Sequence, residues 1–187
     1  MSKIKASEFF NSPELINSNY WTIIQHPTYR PLDMVSYGND LSDIVGALDE
    51  KTVKMDLIYL RMSTIWSECS KCNRMQVGCL MVIDKSIISN GYNGSPHGFP
   101  NVCEDENNNT LPYVLHAEAN AITKLAKSTL SSDGSTIYVT VSPCYECSKL
   151  IIQSGVKRLV IKDLYRKTDS IPFLCEAGVE ITRIGVI

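Results

Sequence analysis

Short apolar strands alternate with helices over the second half of this sequence, and few architectures accommodate that order. Apolar residues at helical spacing first appear from Lys51 to near Glu68. Two β-rich runs follow, and the tight Asp84-Lys85 link between them predicts a β-hairpin. A polar loop at 101–113 then leads into helices that alternate with strands. Because strands joined by a tight turn are antiparallel and strands separated by helices are parallel, we expect a mixed five-stranded sheet with helices on both faces, a three-layer α/β/α sandwich.

Local signals place the later elements of this sandwich. A helix is predicted to begin at His116 and to run to about Ala126. Another begins just after Pro143 and ends at Gly155, a typical start and stop pair. Strands rich in β-branched or aromatic residues are predicted at 135–141, 157–161 and 179–184. A short helix is predicted at 170–178.

Composition excludes several classes of protein. A length of 187 residues with 44% hydrophobic content suits one domain, and a net charge of −2 gives no sign of a protein that binds a long polyanion. The sequence has no run of eighteen apolar residues, and its start lacks the apolar segment of a signal peptide. We therefore expect a cytoplasmic protein without membrane or nucleic-acid partners, in which a disulfide framework is not expected.

Residues 1–50 differ in texture from the rest of the chain. Aromatic residues are mixed there with Pro, Gly and Asn, and no period is sustained. This N-terminal extension can be an arm packed on the domain, a partner-binding segment or a poorly ordered tail, so its role stays open. His26 has no ligand-type residue near it and is expected at the surface or in packing. The domain itself is predicted over 51–187.

Seven cysteines are many for a reducing compartment, and two of them form a C-x-x-C pair at a helix start. Thiolates form readily at that position, so Cys144 and Cys147 can offer two sulfurs to one tetrahedral zinc. His116 opens the neighbouring helix and can supply a third ligand. Three protein ligands leave one position for water, which is typical of a catalytic zinc. Glu118 is then free to take a proton from that water and to protonate a leaving group.

The same residues match the H-x-E…P-C-x-x-C signature of zinc-dependent nucleobase deaminases. From about Lys51 onward, the chain resembles the deoxycytidylate (dCMP) deaminases of the cytidine-deaminase-like superfamily. The resemblance is carried, in order, by "QVGCLMV", "SNGYNGSP", "HAEANAI", "IYVTVSPCYEC" and "IIQSGVKRLVI". Of these, "GYNGSP" best separates this family from other branches. The resemblance implies a cytidine-deaminase-like fold and zinc-dependent hydrolysis of dCMP to dUMP and ammonia, which supplies the precursor of thymidylate.

The resemblance also implies properties of the assembly and its regulation. Many such enzymes are homohexamers that are activated by dCTP and inhibited by dTTP with Mg²⁺. Within the reaction, Glu118 is expected to deprotonate the attacking water and then to protonate N3 and the departing amino group of the cytosine. The backbone N–H of Ala117 is expected to meet the base carbonyl, and the backbone carbonyl of Ser142 is expected to accept from the exocyclic amine.

Further substrate contacts follow from the same resemblance. Asn93 is predicted in a tight Asn-Gly turn at the end of a strand and resembles the residue that binds the sugar hydroxyl, although an Asn-Gly turn is also a common structural device. Arg74 is the family's candidate for the phosphate, with Lys71 nearby; the alternative is a solvated loop arginine. Tyr165 and Arg166 resemble a segment that lines the pocket.

The remaining cysteines raise the prospect of a second metal. A structural zinc lies in some family members where this chain has Cys72, His97 and Cys103, and Cys69 can join them; buried thiols without metal are the alternative. Cys79 and Cys175 lie in apolar runs and are predicted to be core residues.

Two rival classes share parts of these motifs. Deaminases of nucleosides, free bases, riboflavin precursors or tRNA carry the same zinc signature, although a nucleic-acid enzyme should show a basic face or a stacking platform. A non-enzymatic zinc module is the other alternative, with Cys69, Cys72, Cys144 and Cys147 as ligands. Those two pairs are 72 positions apart, far more than the roughly 15 to 20 residues of compact zinc ribbons.

Overall fold

The computed structural model describes residues 2–24, 34–38 and 48–185. Its strands form one mixed sheet in the order β1-β3-β2-β8-β7-β6-β4-β5. The strands are β1 (Ser2–Lys5), β2 (Tyr20–Ile24), β3 (Met34–Gly38), β4 (Gly78–Ile83), β5 (Ser86–Tyr92), β6 (Thr136–Val141), β7 (Arg158–Asp163) and β8 (Glu180–Ile184). The helices are α1 (Ala6–Phe10), α2 (Pro13–Ile16), α3 (Glu50–Ser67), α4 (Ala117–Leu125), α5 (Tyr145–Gln153) and α6 (Ser170–Glu176).

The predicted five-stranded unit is confirmed as β4 to β8. Strands β4 and β5 form the antiparallel hairpin, and its two turn residues, Asp84 and Lys85, have φ values of 48° and 64°. Positive φ at both positions is the type I′ turn, whose twist matches that of the flanking strands. Strand β6 pairs antiparallel with β4, while β6, β7 and β8 are parallel, as strands joined through helices should be.

Side chains alternate across these strands and divide the core into two layers. In β6, Ile137 and Val139 belong to the same buried cluster as residues of α4, α5 and α6. Tyr138, between them, points to the opposite face and packs with Tyr59 and Leu60 of α3. Helices therefore cover both faces, which confirms the α/β/α sandwich and places α4 and α5 side by side on one face.

A buried ion pair fixes α3 to the sheet. The carboxylate of Asp56, 1% exposed, accepts two hydrogen bonds from the Arg158 guanidinium at 2.8 and 2.6 Å and a third from the Tyr138 hydroxyl at 2.9 Å. Both charges are therefore paired, which a buried carboxylate requires.

The first strands of the chain extend the sheet beyond the five predicted strands. Strand β2 pairs antiparallel with β8, and β3 and β1 follow. The side chains of Phe9, Trp21 and Ile23 are fully buried, so the described part of residues 1–50 is an arm packed on the domain.

The prediction about His26 falls outside the described residues, and the proposed division at residue 50 stays a prediction. In the described ranges, no helix has the length and apolarity needed to cross a membrane.

Candidate metal centre and active site

Two helix starts on the same face of the sheet bring the predicted metal ligands together. His116 and Cys144 are the N-cap residues of α4 and α5, and both have extended backbone, with φ of −72°. An N-cap residue stands at the mouth of its helix, where the first N–H groups have no partner within the helix. Cys147 lies in the first turn of α5, so its thiol faces the same opening.

The three ligand atoms have the spacing of a tetrahedral zinc site. His116 Nδ1 lies 3.4 Å from the Cys144 Sγ and 3.5 Å from the Cys147 Sγ. Nitrogen and sulfur ligands at ordinary zinc bond lengths and tetrahedral angles lie about 3.6 Å apart. Within the described ranges, these three residues are the one group of three or more metal-ligating side chains that converge. The residues therefore fit a zinc ion and leave its fourth position open.

The electrostatics of this centre favour thiolate at the helix mouth. Hydrogen bonds from the Cys147 thiol, from His116 and from the Cys147 backbone N–H lower the pKa of Cys144 to about 3. The pKa of Cys147 is raised, chiefly because its thiol proton is held by Cys144 and because it is buried. A cation that replaces the shared proton would let both sulfurs ionise, since metal binding displaces protons from its ligands.

Glu118 lies one residue inside α4 and is almost completely buried, at 3% exposure. Desolvation raises its pKa to about 7, against the opposing effects of a backbone hydrogen bond and of His116. A carboxyl group with a pKa near the working pH can both accept and donate a proton. The structure therefore places a carboxyl group that can exchange a proton beside the three predicted ligand residues.

A cavity of about 620 Å³ opens beside these residues. Its lining includes His116, Ala117, Glu118, Ser142 and Cys144. It lies just beyond the carboxyl end of β6, the side of a parallel sheet at which α/β proteins bind ligands. The volume suits a small molecule rather than a folded macromolecule.

The lack of a side chain at Gly91 lets α4 pack close to β5 and form one wall of the cavity. A Cβ atom at that position would overlap the Ala117 carbonyl oxygen and would lie 2.6 Å from the Ala121 backbone nitrogen. Only glycine therefore lets β5 pack this tightly against the first turn of α4. The "GYNGSP" block thus has a structural role beside the site.

Asn93 lines the cavity but does not form the predicted turn. Neither Asn93 nor Gly94 has a positive φ, and Gly94 instead forms an antiparallel bridge with Leu115. The Asn93 amide connects two segments: its Oδ1 accepts from the Val77 N–H at 2.8 Å, and its Nδ2 donates to the Met75 carbonyl at 2.8 Å. A side-chain amide has four hydrogen-bonding positions, so sugar binding by Asn93 stays a prediction.

The predicted cationic and aromatic contacts divide into two groups. Arg74, Tyr165 and Arg166 line the cavity, whereas Lys71 does not. The Arg166 guanidinium lies over the Tyr165 ring and donates to its hydroxyl at 3.1 Å. The Tyr165 backbone N–H donates to the Ser142 hydroxyl at 2.7 Å, and the Ser142 N–H donates to the Asp163 carbonyl at 2.8 Å. These bonds hold the Ser142 backbone at the cavity wall.

No disulfide framework was expected from the sequence, and the structure contains one disulfide that was not predicted. Cys72 and Cys103 form a disulfide, with 5.0 Å between their Cα atoms. Both thiols proposed for a second metal are therefore used, while Cys69 and His97 are exposed and form no metal-ligating group in the described part of the chain. The same bond removes Cys72 from the four-cysteine zinc module. Cys79 and Cys175 are buried, as predicted.

Sequence reasoning missed the part of the cavity wall built by the loop at 101–113. Glu104, Asn109 and Thr110 line the same cavity as His116 and Cys144. Single polar residues in a polar loop carry no periodicity and no motif. Their spatial neighbours lie about 30 positions earlier in the chain, so no local signal was available.

Fold and site together define a class: an α/β protein with a His-Cys-Cys zinc centre, an open coordination position and a buried glutamate beside it, which is the arrangement of a hydrolytic zinc enzyme. Comparison with known proteins makes the assignment more specific. Residues 54–163 match the family described as the cytidine and deoxycytidylate deaminase zinc-binding region. This match spans more than half of the chain, and the protein belongs to that family.

Individual relatives agree with this family. The chain is 36% identical to ComE operon protein 2 of Bacillus subtilis over 67% of its own length and 69% of the relative's. It is 35% identical to the deoxycytidylate deaminase of Mycobacterium phage D29, over 56% of this chain and 91% of that protein. The crystal structure of the dCMP deaminase from cyanophage S-TIM5, solved in complex with dCMP and dUMP, superposes with a TM-score of 0.67 at 46% identity and covers 68% of this chain and 95% of that one.

Proposed function

We propose that this protein is a zinc-dependent deaminase that hydrolyses dCMP to dUMP and ammonia. The observation that carries the proposal is the buried Glu118 beside His116, Cys144 and Cys147 in a cavity of nucleotide size. The cyanophage relative at 46% identity, solved with dCMP and dUMP, supports the choice of substrate.

The three ligand residues prepare the site for hydrolysis at neutral pH. Zinc, when bound by them, supplies a water of lowered pKa at the open position. Glu118 takes a proton from the attacking water as a bond forms between the water oxygen and C4 of the cytosine. Glu118 delivers this proton to N3, then takes a second proton from the new C4 hydroxyl and delivers it to the exocyclic amino group. The C4–N bond breaks, ammonia leaves, and a carbonyl remains at C4.

Backbone groups of two walls position the base. The N–H of Ala117 lies in the first turn of α4, so no carbonyl within the helix accepts from it, and it can donate to the base carbonyl. The Ser142 carbonyl can accept from the exocyclic amine, and it is held in place through the hydrogen bonds of Ser142 to Asp163 and Tyr165. Burial of the base between these groups excludes water from the reacting atoms.

Two guanidinium groups serve the phosphate end of the substrate. Arg74 and Arg166 both line the cavity, and Arg74 is held by a 3.2 Å hydrogen bond from its Nη1 to the Thr110 hydroxyl. An arginine fork suits a phosphate because it can donate two parallel hydrogen bonds. Asn93, fixed between Val77 and Met75, is assigned to the sugar hydroxyl.

Ammonia release from dCMP, CMP and deoxycytidine tests the proposal directly. We expect dCMP to be the preferred substrate, and a Glu118→Gln protein to keep its zinc while kcat falls by ~10²–10⁴-fold. Arg74→Ala should lose more activity on dCMP than on deoxycytidine. Ammonia release from none of these substrates, or full activity of Glu118→Gln, would refute the proposal. Preference for deoxycytidine, CMP or a tRNA would move the protein to another branch of the same family.

Regulation and assembly are proposed on the resemblance alone. We expect a cytoplasmic homo-oligomer, a hexamer by analogy, that responds to dCTP and to dTTP with Mg²⁺. Sedimentation and the dependence of ammonia release on dCTP concentration test these two points. A second zinc would require the Cys72–Cys103 bond to be reduced, so zinc content measured with and without a thiol reductant tests that point.

A further inference from the structure

We propose that Glu104 is a positioning residue for Arg74 and thereby sets the preference of the enzyme for a phosphorylated substrate. This inference rests on the proposed function, because it concerns how the phosphate-binding arginine is held. Glu104 lies in the loop at 101–113, on the cavity wall, and Arg74 lies in the irregular segment before β4.

The Glu104 carboxylate holds the backbone of the segment that carries Arg74. Its Oε1 accepts from the Asn73 N–H at 3.1 Å and from the Arg74 N–H at 3.2 Å, and its Oε2 lies 3.2 Å from the Asn73 nitrogen. Hydrogen bonds to an ionised carboxylate are stronger than those between neutral groups. The carboxylate therefore replaces the regular backbone partners that this segment lacks.

The residue opposite Glu104 holds the other end of the same arginine. Glu104 and Thr110 form an antiparallel bridge, and Thr110 Oγ1 accepts from Arg74 Nη1 at 3.2 Å. The Cys72–Cys103 disulfide joins the same two segments, one residue before Asn73 and one residue before Glu104. One bridged pair thus fixes both the backbone and the guanidinium of Arg74.

The arrangement leaves the charge of Arg74 available for an anion. The Glu104 carboxylate accepts hydrogen bonds from the backbone N–H groups of Asn73 and Arg74. Across the described ranges, no carboxylate lies within ion-pair distance of the Arg74 guanidinium. Arg158, in contrast, is committed to the buried Asp56 at 2.6 Å. Ordering a long side chain before the ligand arrives lowers the entropic cost of binding.

Steady-state kinetics of Glu104→Ala on dCMP and on deoxycytidine test the inference. We expect the KM for dCMP to rise about 3- to 10-fold, because the Arg74 side chain loses its fixed position. The kcat should not change, because Arg74 serves the phosphate and not the reacting base. The kinetics on deoxycytidine, which has no phosphate, should not change. Glu104→Gln should keep most of the wild-type KM, since its amide oxygen still accepts from backbone N–H groups.

Two further variants separate positioning from general effects of charge or folding. Glu106→Ala removes an exposed carboxylate from the same loop and should leave both substrates unaffected. In an Arg74→Ala background, Glu104→Ala should add nothing to the loss on dCMP. An equal loss on both substrates, a loss that adds to that of Arg74→Ala, or an unchanged KM for dCMP would overturn the inference. A wild-type protein inactive on dCMP would overturn the proposed function and the inference with it.

Discussion

Two pairs of cysteines each contribute one residue, Cys72 or Cys144, to the lining of the same cavity, and the two pairs differ in whether they are bonded. Cys144 and Cys147 remain free thiols at the start of α5, each within 3.5 Å of His116 Nδ1. Cys72 and Cys103 come from two loops and are bonded to each other. The number of sulfurs is the same in the two pairs, so the difference must come from their surroundings.

The surroundings of the two pairs explain why one is free and the other bonded. Cys144 and Cys147 have His116 as a third partner and lie at the start of α5. The Cys144 thiolate receives hydrogen bonds from His116 and from the first turn of α5, so it is stabilised as a metal ligand. In the described part of the chain, no imidazole joins Cys72 and Cys103 in a ligand group, and their Cα atoms are 5.0 Å apart, within the range of disulfides. Cysteine spacing alone therefore cannot tell a metal site from a cross-link.

The largest expected effect comes from removing a sulfur of the free pair. Cys147→Ala leaves two protein ligands, too few for the three that a catalytic zinc requires. We expect zinc content and ammonia release from dCMP to fall to background. Cys69→Ala is the matched control, because Cys69 is exposed and outside the site, and it should keep both zinc and activity. Retention of zinc by Cys147→Ala would mean that the ion is held elsewhere.

A smaller effect is expected when the imidazole is moved away from the free pair. Gly91→Ala places a Cβ atom against the Ala117 carbonyl, so the start of α4 must shift away from β5 with His116 and Glu118. We expect kcat/KM for dCMP to fall ~10²-fold, as is typical for displacement of catalytic groups by about 1 Å.

Gly94→Ala is the control for that substitution. The nearest atoms to a Cβ there are in the Tyr92 ring at 3.9 Å, and its φ is not positive, so activity should be retained. Equal losses from Gly91→Ala and Gly94→Ala would show that the close approach of β5 to α4 does not position the site.

The smallest effect on chemistry is expected from opening the bonded pair. The double variant Cys72→Ser, Cys103→Ser removes a cross-link between residues 31 positions apart, which should lower the free energy of unfolding by about 3–4 kcal/mol. We expect kcat to be unchanged. Denaturant unfolding measures the free energy, ammonia release from dCMP measures kcat, and non-reducing peptide mass spectrometry checks that the bond is present in the wild-type protein. Two zinc ions per chain in the reduced wild-type protein, and one in this variant, would show that Cys72 and Cys103 bind a second zinc when their bond is reduced.

The elements that the sequence predicts correctly are those with local causes. The Asp84-Lys85 turn, the start of α5 after Pro143 and its end at Gly155 each depend on a few adjacent residues. The convergence of His116, Cys144 and Cys147 was predictable for the same reason, since each lies at a helix start with a recognisable neighbour. One motif at the start of α4 and one at the start of α5 were enough to predict that these side chains meet, because the fold places both helices on the same face of the sheet.

The features that sequence reasoning missed depend on distant partners. Strand β2 is ordered through pairing with β8, about 160 positions away, which its own irregular composition does not reveal. The Asn93-Gly94 pair suggested a turn because such pairs often form one, yet the Asn93 side chain is used to connect residues 75 and 77. The roles of Cys103 and Glu104 appear only once their loop is seen against residues 72–74.

Zinc K-edge X-ray absorption of the purified wild-type protein tests the central claim most directly. The account predicts one zinc per chain with two sulfur ligands at about 2.3 Å and two lighter ligands at about 2.0–2.1 Å, one of them an imidazole. The spectrum of the Cys72→Ser, Cys103→Ser variant should be the same. A first shell of three or four sulfurs, or a wild-type protein that binds no zinc, would contradict an open centre built by His116, Cys144 and Cys147.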